Sequence, residues 1–246
     1  MATRLVHLII DAADPAAAAR FWAAALGWEA GTDGDDEAEV APAGFEYPGT
    51  SALPLLFVPV PDQKTAKNRI HLDLKSASAE DQAEIVARLL GLGAVRIDIG
   101  QGNVPWEVMA DPFGNEFCVL EPRAEYAGTG PVAAVVVDCA SPSAMARFWT
   151  AAAGWTAGQP DEGLIPLRSP DNAGPFVEML PSAEPKRVKN RVHLDVAPYL
   201  GGTVAAEVER LRAAGAELAD IGQGPDVSWV VLTDPDGQEF CVLSPR

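Results

Sequence analysis

Cysteine, histidine and positive charge are the scarce things in this chain. Three cysteines among 246 residues cannot form a disulfide framework. The opening stretch MATRLVHLIID has too short an apolar run for a secretory leader, so a cytoplasmic location is the default expectation. Three histidines leave little imidazole for metal or acid–base work, so each must be weighed singly. Lys and Arg total 18 against 35 Asp and Glu, a formal net charge of −17. Such a surface repels phosphates, which argues against nucleic acid and against an anionic membrane as partners. No run approaches the ~20 apolar residues of a membrane span. The Gly100-Gln101-Gly102 and Gly222-Gln223-Gly224 loops are too short to cradle phosphate and lack the GxGxxG pattern. No serine sits in a nucleophile elbow.

What is abundant is repetition. ARFWAAALGW (Ala19 to Trp28) returns as ARFWTAAAGW (Ala146 to Trp155). KNRIHLDL (Lys67 to Leu74) returns as KNRVHLDV (Lys189 to Val196), and DPFGNEFCVL (Asp111 to Leu120) as DPDGQEFCVL (Asp234 to Leu243). The six tryptophans pair off, Trp22 with Trp149, Trp28 with Trp155 and Trp106 with Trp229. The matches keep their order, so the chain is a duplication. It divides into halves 1–124 and 131–246, joined by the Gly- and Pro-containing linker Glu125 to Pro131.

Each half shows a rhythm that occurs twice. A strand over Val6 to Ile10 leads to Asp14-Pro15, an N-cap followed by Pro at the first helical position. The helix then carries Phe21, Trp22, Ala25 and Leu26 on one face and stops at Gly27. The second half copies this with Ser141-Pro142, Phe148, Trp149 and Gly154. Strands near Leu55 to Val60 and Phe176 to Leu180 follow. The rhythm restarts with a strand over Ile70 to Leu74 and a helix over Ser78 to Leu90, where Ser78 and Asp81 have capping-box spacing. Strands over Val95 to Ile99, Trp106 to Ala110 and Glu116 to Leu120 complete it, the last two joined by the turn at Asp111 to Asn115. The acidic stretch Asp33 to Glu39 reads as a solvated loop. The fold class is α+β, four βαβββ modules in all.

Four βαβββ modules with FWxxxxGW helices, NRxHLDL strands and DPxGNEFCVL hairpins resemble the vicinal oxygen chelate superfamily. Its members include glyoxalases, extradiol dioxygenases and bleomycin-resistance proteins. The resemblance implies two cup-shaped, glyoxalase-like domains, expected over residues 1–124 and 131–246, without fixing how the four modules pair. It further implies a divalent ion held inside the cup by His and Glu from the first and last strands of each module. Carried onto this sequence, the first-strand position is His7, matched by Ala134 in the second half. The next ligand falls near Leu56 to Val58, where nothing can bind a metal, and the second half offers Glu178. The first strand of the following module offers His71 and His193. The final-strand position, a Glu in the family, is Cys118 and Cys241. Half one therefore offers His7, His71 and Cys118, a chemically allowed zinc set, and half two offers His193, Cys241 and Glu178. The cofactor expectation is either none or a divalent Zn, Ni, Mn or Fe.

Each residue also has a plainer reading. Cysteine is among the most buried residue types, and the core reading of Cys118 is favoured over ligation. His71 and His193 recur in both halves, which fits a shared structural duty, whereas His7 has no counterpart. Trp106 and Trp229 lie on strands expected to line the cups and are candidate stacking residues. Phe57, Glu116 and Glu239 complete the candidate ligand-binding set. The expected function is capture of a small, largely apolar or aromatic molecule without a complete family metal site. The alternative is a metal-dependent lyase, isomerase or dioxygenase, and a third possibility makes one half purely structural. The expected assembly is a monomer or a homodimer.

Overall fold

The computed structural model describes residues 3–33, 36–224 and 227–246. The first module comprises β1 (Thr3–Ala12), α1 (Pro15–Leu26), β2 (Glu29–Asp33), β3 (Glu37–Ala41) and β4 (Leu55–Pro59). The second comprises β5 (Ile70–Leu74), α2 (Ala79–Gly91), β6 (Val95–Arg96), β7 (Glu107–Ala110) and β8 (Glu116–Val119). The third runs through β9 (Val132–Cys139), α3 (Pro142–Ala153), β10 (Thr156–Ala157), β11 (Ile165–Arg168) and β12 (Phe176–Pro181). The fourth runs through β13 (Val192–Pro198), α4 (Val204–Ala213), β14 (Glu217–Leu218), β15 (Val230–Thr233) and β16 (Glu239–Val242). This is the βαβββ order four times over.

Local chemistry explains most element ends. The Asp14 carboxylate accepts the Ala17 N–H at 2.9 Å, and Gly27 closes α1 in the left-handed region at φ 67°. The buried stripe of α1 includes Phe21, Trp22, Ala25 and Leu26. At the start of α2, Ser78 Oγ accepts the Asp81 N–H at 3.1 Å while the Asp81 carboxylate accepts the Ala77 N–H at 2.7 Å. The second-half copy departs at Ser141, whose side chain makes no capping bond. Its backbone carbonyl alone receives the Ala144 and Met145 N–H groups. The strand expected over Val95 to Ile99 ends at Arg96, because the Asp98 carboxylate turns the chain by accepting the Gly100 N–H at 2.8 Å. The acidic stretch is not all loop: Glu37–Ala41 is β3, with Ala38 and Val40 buried between partly exposed neighbours. Alternation of one apolar and one polar residue makes it a half-buried strand. Residues 34 and 35 of that stretch lie outside the described residues.

The modules form two eight-stranded sheets, and each sheet draws on both halves of the sequence. The first sheet has the order β14-β15-β16-β13-β1-β4-β3-β2, so module four joins module one. The second has the order β10-β11-β12-β9-β5-β8-β7-β6, so module three joins module two. The seams are antiparallel: Ile9 faces His193 and His7 faces Asp195 across one, while His71 faces Val136 and Asp73 faces Ala134 across the other.

The repeated motifs hold this arrangement together. Lys189 and Arg191 of the KNR motif cross the first seam, Lys189 to the Asp11 carboxylate at 2.6 Å and Arg191 to the Asp11 carbonyl at 2.7 Å. Lys67 and Arg69 reach Asp138 in the same way across the second seam, at 2.6 and 2.8 Å. The FW and DPxG motifs instead link the two sheets. Trp22 Nε1 donates to Asp111 at 3.1 Å and its ring meets Phe117 edge-on, with centroids 5.2 Å apart. Trp149 repeats this with Asp234 and Phe240. One continuous apolar core, which contains Trp22, Phe117, Trp149 and Phe240, therefore lies between the two sheets.

Candidate functional site

The first sheet opens on a cavity of about 1350 Å³. Its lining includes His7, Ile9 and Asp11 from β1, Leu56 and Val58 from β4, His193 and Asp195 from β13, and Cys241 from β16. Trp229 borders it and is 36% exposed, while the loops over residues 62–69 and 184–191 bring charged side chains to its rim. The volume exceeds the roughly 300–1,000 Å³ of ordinary ligand pockets.

His7 is 1% exposed and its Nε2–H is shared between Glu39 Oε1 at 3.1 Å and the Tyr47 hydroxyl oxygen at 2.8 Å. The Tyr47 hydroxyl donates its own proton to the Val6 carbonyl at 2.9 Å. Hydrogen bonding to His7 holds the Glu39 carboxyl below its ordinary range against the opposing effect of burial. His193 donates through Nδ1 to Asp195 Oδ1 at 2.8 Å, and the Cys241 backbone N–H donates to the same oxygen at 3.2 Å. Burial, reinforced by the Asp195 charge, pushes the Cys241 thiol well up and keeps it protonated. Glu39 and Tyr47 escape notice in the sequence, although the alternating run E-A-E-V-A marks Glu39 as one face of a strand.

The second sheet carries the repeat-related surface, covered among the described residues by packed side chains. Cys118, Leu120 and Trp106 stand where Cys241, Leu243 and Trp229 line the first cavity. They pack instead on Tyr126, delivered by a single 3₁₀ turn, Ala124–Tyr126, in the linker. The Tyr126 hydroxyl donates to Glu178 Oε1 at 2.8 Å, and its ring meets Phe176 edge-on at 5.4 Å. Burial raises the Glu178 carboxyl to about 7 and pushes the Tyr126 phenol and the Cys118 thiol well up. The linker thus fills this cup.

The candidate residues are distributed accordingly. His7, His193 and Cys241 share the open cup, whereas His71, Cys118 and Glu178 belong to the closed one. The half-one set His7, His71 and Cys118 is therefore not one site, because its members lie in different sheets. The half-two set separates likewise, Glu178 from His193 and Cys241. Trp229 lines the open cavity, and Trp106 packs in the closed cup with its Nε1 on Gln101 at 2.8 Å. Phe57 points the other way: it is fully buried in the core between the sheets, and its neighbours Leu56 and Val58 line the cup. Glu116 and Glu239 each bind a lysine and a backbone N–H, Lys64 and Asn68 for the first, Lys186 and Asn190 for the second. They clasp the connecting loops to the last strands.

The residues present do not make the His/Glu metal set that the fold implies. In the open cup, Leu56 stands at the position that holds Glu178 in the repeat, and the thiol of Cys241 stands at the other carboxylate position. His7 Nε2 is already engaged by Glu39 and Tyr47, and Asp195 Oδ1 by His193 and Cys241. In the closed cup, Ala134 replaces the first-strand histidine. The losses are complementary: one cup keeps the histidine and lacks the glutamate, the other keeps the glutamate and lacks the histidine.

Paired βαβββ modules with continuous sheets around an inner cup define a vicinal oxygen chelate fold. The chain belongs to the glyoxalase-like domain family, whose sequence profile matches it twice, over residues 7–120 and 134–243. Among solved structures it is similar to glyoxalase I from Zea mays, at a TM-score of 0.67 and 14% identity, covering 98% of this chain and 92% of that one. It is also similar to a candidate dioxygenase from Bacillus subtilis, at a TM-score of 0.61 and 12% identity, covering 99% and 85%. At these identities the likeness is one of fold. No curated protein sequence matches the chain. No helix among the described residues is long and apolar enough to cross a membrane.

Proposed function

We propose that this protein captures a small, largely apolar or aromatic molecule in its open cup, without a catalytic metal there. One observation carries the reading. The repeat-related cup already holds an aromatic ring, that of Tyr126, on the residues corresponding to Cys241, Leu243 and Trp229. The same framework left open accommodates a comparable ring from outside, with Ile9, Leu56 and Val58 as its apolar wall. The charged rim suits a polar substituent on the ligand. Indole and toluene are suitable probes. Ligand-observed NMR on the full chain should show saturable binding, weakened at least about tenfold by Trp229→Ala, as loss of a stacking platform predicts. Trp106→Ala should leave it unchanged. Absence of saturable binding, or equal loss in both variants, sinks the reading.

A metal-dependent enzyme is the second reading. It is favoured by His7 and His193 both facing the cavity from adjacent strands, each bonded to an acid. Carboxylates are missing at both Leu56 and Cys241, and restoring the first brings the donors facing the cup to three. Leu56→Glu should then confer tight binding of Ni²⁺ or Zn²⁺ on the open cup, measurable by calorimetry and lost again when His7→Ala is added. If the unaltered protein turns over a substrate with a metal bound by His7 and His193, capture is the wrong function.

A further inference from the structure

The closed cup, which already holds a ring, shows what surrounds the polar end of that ring, and the open cup differs from it there. The Tyr126 hydroxyl donates to Glu178 Oε1 at 2.8 Å. The Arg123 charge bears on both groups and favours their ionised forms. Arg123 is itself held by Glu121, through Nε at 2.7 Å, with its guanidinium 5.6 Å from the Trp106 ring centre. Two acids and one cation thus attend this end of the closed cup. The repeat carries LEPR, Leu120 to Arg123, over to LSPR, Leu243 to Arg246. Leu56 and Ser244 therefore stand in the places of Glu178 and Glu121, while Arg246 keeps the place of Arg123. Both acids are gone and the cation remains.

Arg246 lines the open cavity with Trp229 and Leu243. Its backbone is tethered, the carbonyl accepting from Arg4 and the N–H donating to the Pro198 carbonyl at 3.2 Å. Its guanidinium makes no ion pair or hydrogen bond among the described residues. The Glu39 carboxylate feels its charge, but that group is already engaged by His7 Nε2 at 3.1 Å. The cavity lining as a whole holds seven Lys or Arg against five Asp or Glu, whereas the chain holds 18 against 35. Repulsion of an anion by the acidic exterior is screened over about 10 Å at 0.1 M salt, so the cations inside the mouth decide. We propose that the open cup selects an aromatic or apolar molecule bearing a carboxylate, with the ring on Trp229 and Leu243 and the carboxylate on the Arg246 guanidinium. The planar fork of arginine matches a carboxylate with two parallel hydrogen bonds. A neutral hydroxyl placed like that of Tyr126 meets Leu56 where Tyr126 meets Glu178. This selection rests on ligand capture in the open cup and adds the chemical class of the ligand to it.

Matched probes test the class separately from capture itself. Ligand-observed NMR titrations of the full chain compare benzoate with toluene and indole-3-carboxylate with indole. They are run at about pH 7, where a carboxylic acid is ionised, with chelator present so that no metal ion takes the carboxylate. Each acid is expected to bind at least about tenfold tighter than its neutral partner, the size of one hydrogen bond to a charged group. In the unaltered protein this advantage should shrink at about 0.5 M NaCl, a readout that needs no variant. Arg246→Gln should erase most of the difference within each pair. Arg123→Gln, in the closed cup, should preserve it. Neutral probes that bind through Trp229 while the acids bind no tighter would overturn the acid preference and leave capture standing. An acid preference that survives Arg246→Gln, or that is indifferent to salt, would overturn the placement of the carboxylate on Arg246. If no probe of either kind binds, capture and its acid preference fall together.

Discussion

Single residues separate the two cups. Residues 7 and 134 are related by the repeat, as are 56 and 178, yet one pair reads His and Ala and the other Leu and Glu. These identities are visible in the sequence. Their grouping is not, because His7 and Glu178 sit in different sheets. Glu39 was hidden for another reason: its acidic neighbours make the run look like solvated loop, and only the strand partner shows that it meets His7. Glu178 offers a test by titration. Burial holds its carboxyl at about 7, against an ordinary 4.5, so the folded protein keeps the proton where the unfolded chain has lost it. That contribution to stability is complete below pH 4.5 and disappears as pH rises toward about 7. In chelator-treated protein, stability from urea melts should fall across this window, by about 3 kcal/mol at most from this group. Glu178→Gln keeps the acceptor for Tyr126 and should flatten that part of the profile.

Elements were the most legible level, because helix caps and strand alternation are written within a few residues. Asp14, Ser78, Gly27 and Gly154 all do what their spacing implies. The strands that shortened or appeared unexpectedly are those whose ends depend on a turn, at Asp98, or on a partner strand, at β3. The duplication turns capping into an internal comparison. Asp14 bonds the Ala17 N–H through its side chain, while Ser141 holds α3 through its carbonyl alone. Asp14→Ala should therefore destabilise the protein by about 1 kcal/mol. Ser141→Ala should change stability by no more than about 0.5 kcal/mol, as for a substitution that removes no bond. Urea denaturation of both variants checks this, and equal losses would show that the Ser141 hydroxyl caps α3 after all.

The whole molecule is where the sequence was least informative. Four modules share one pattern, so periodicity cannot say which strand edges meet, and repeat boundaries invite the reading that each half closes its own cup. The sheets join the halves instead, module one to four and module two to three. Within a half, modules are held by side chains: Trp22 on Asp111 and Phe117, Trp149 on Asp234 and Phe240. Between halves they are held by backbone ladders, β1 with β13 and β5 with β9, plus the KNR side chains. A half cut at the linker keeps its internal Trp22–Phe117 or Trp149–Phe240 contact, but uncovers its share of the common core and two central strand edges at once. Unpaired edges seek another strand, and the partner available to fragment 1–124 is either fragment 131–246 or a second copy of itself. Co-expressed with a tag on one fragment only, the two should co-purify in equal amounts, with the stability of the joined chain reduced by the effect of losing a covalent connection. Fragment 1–124 alone should sediment as a dimer or aggregate. A folded monomer of 1–124 would mean that its two modules can close a cup by themselves, and the cross-half sheets would then not be what holds this molecule together.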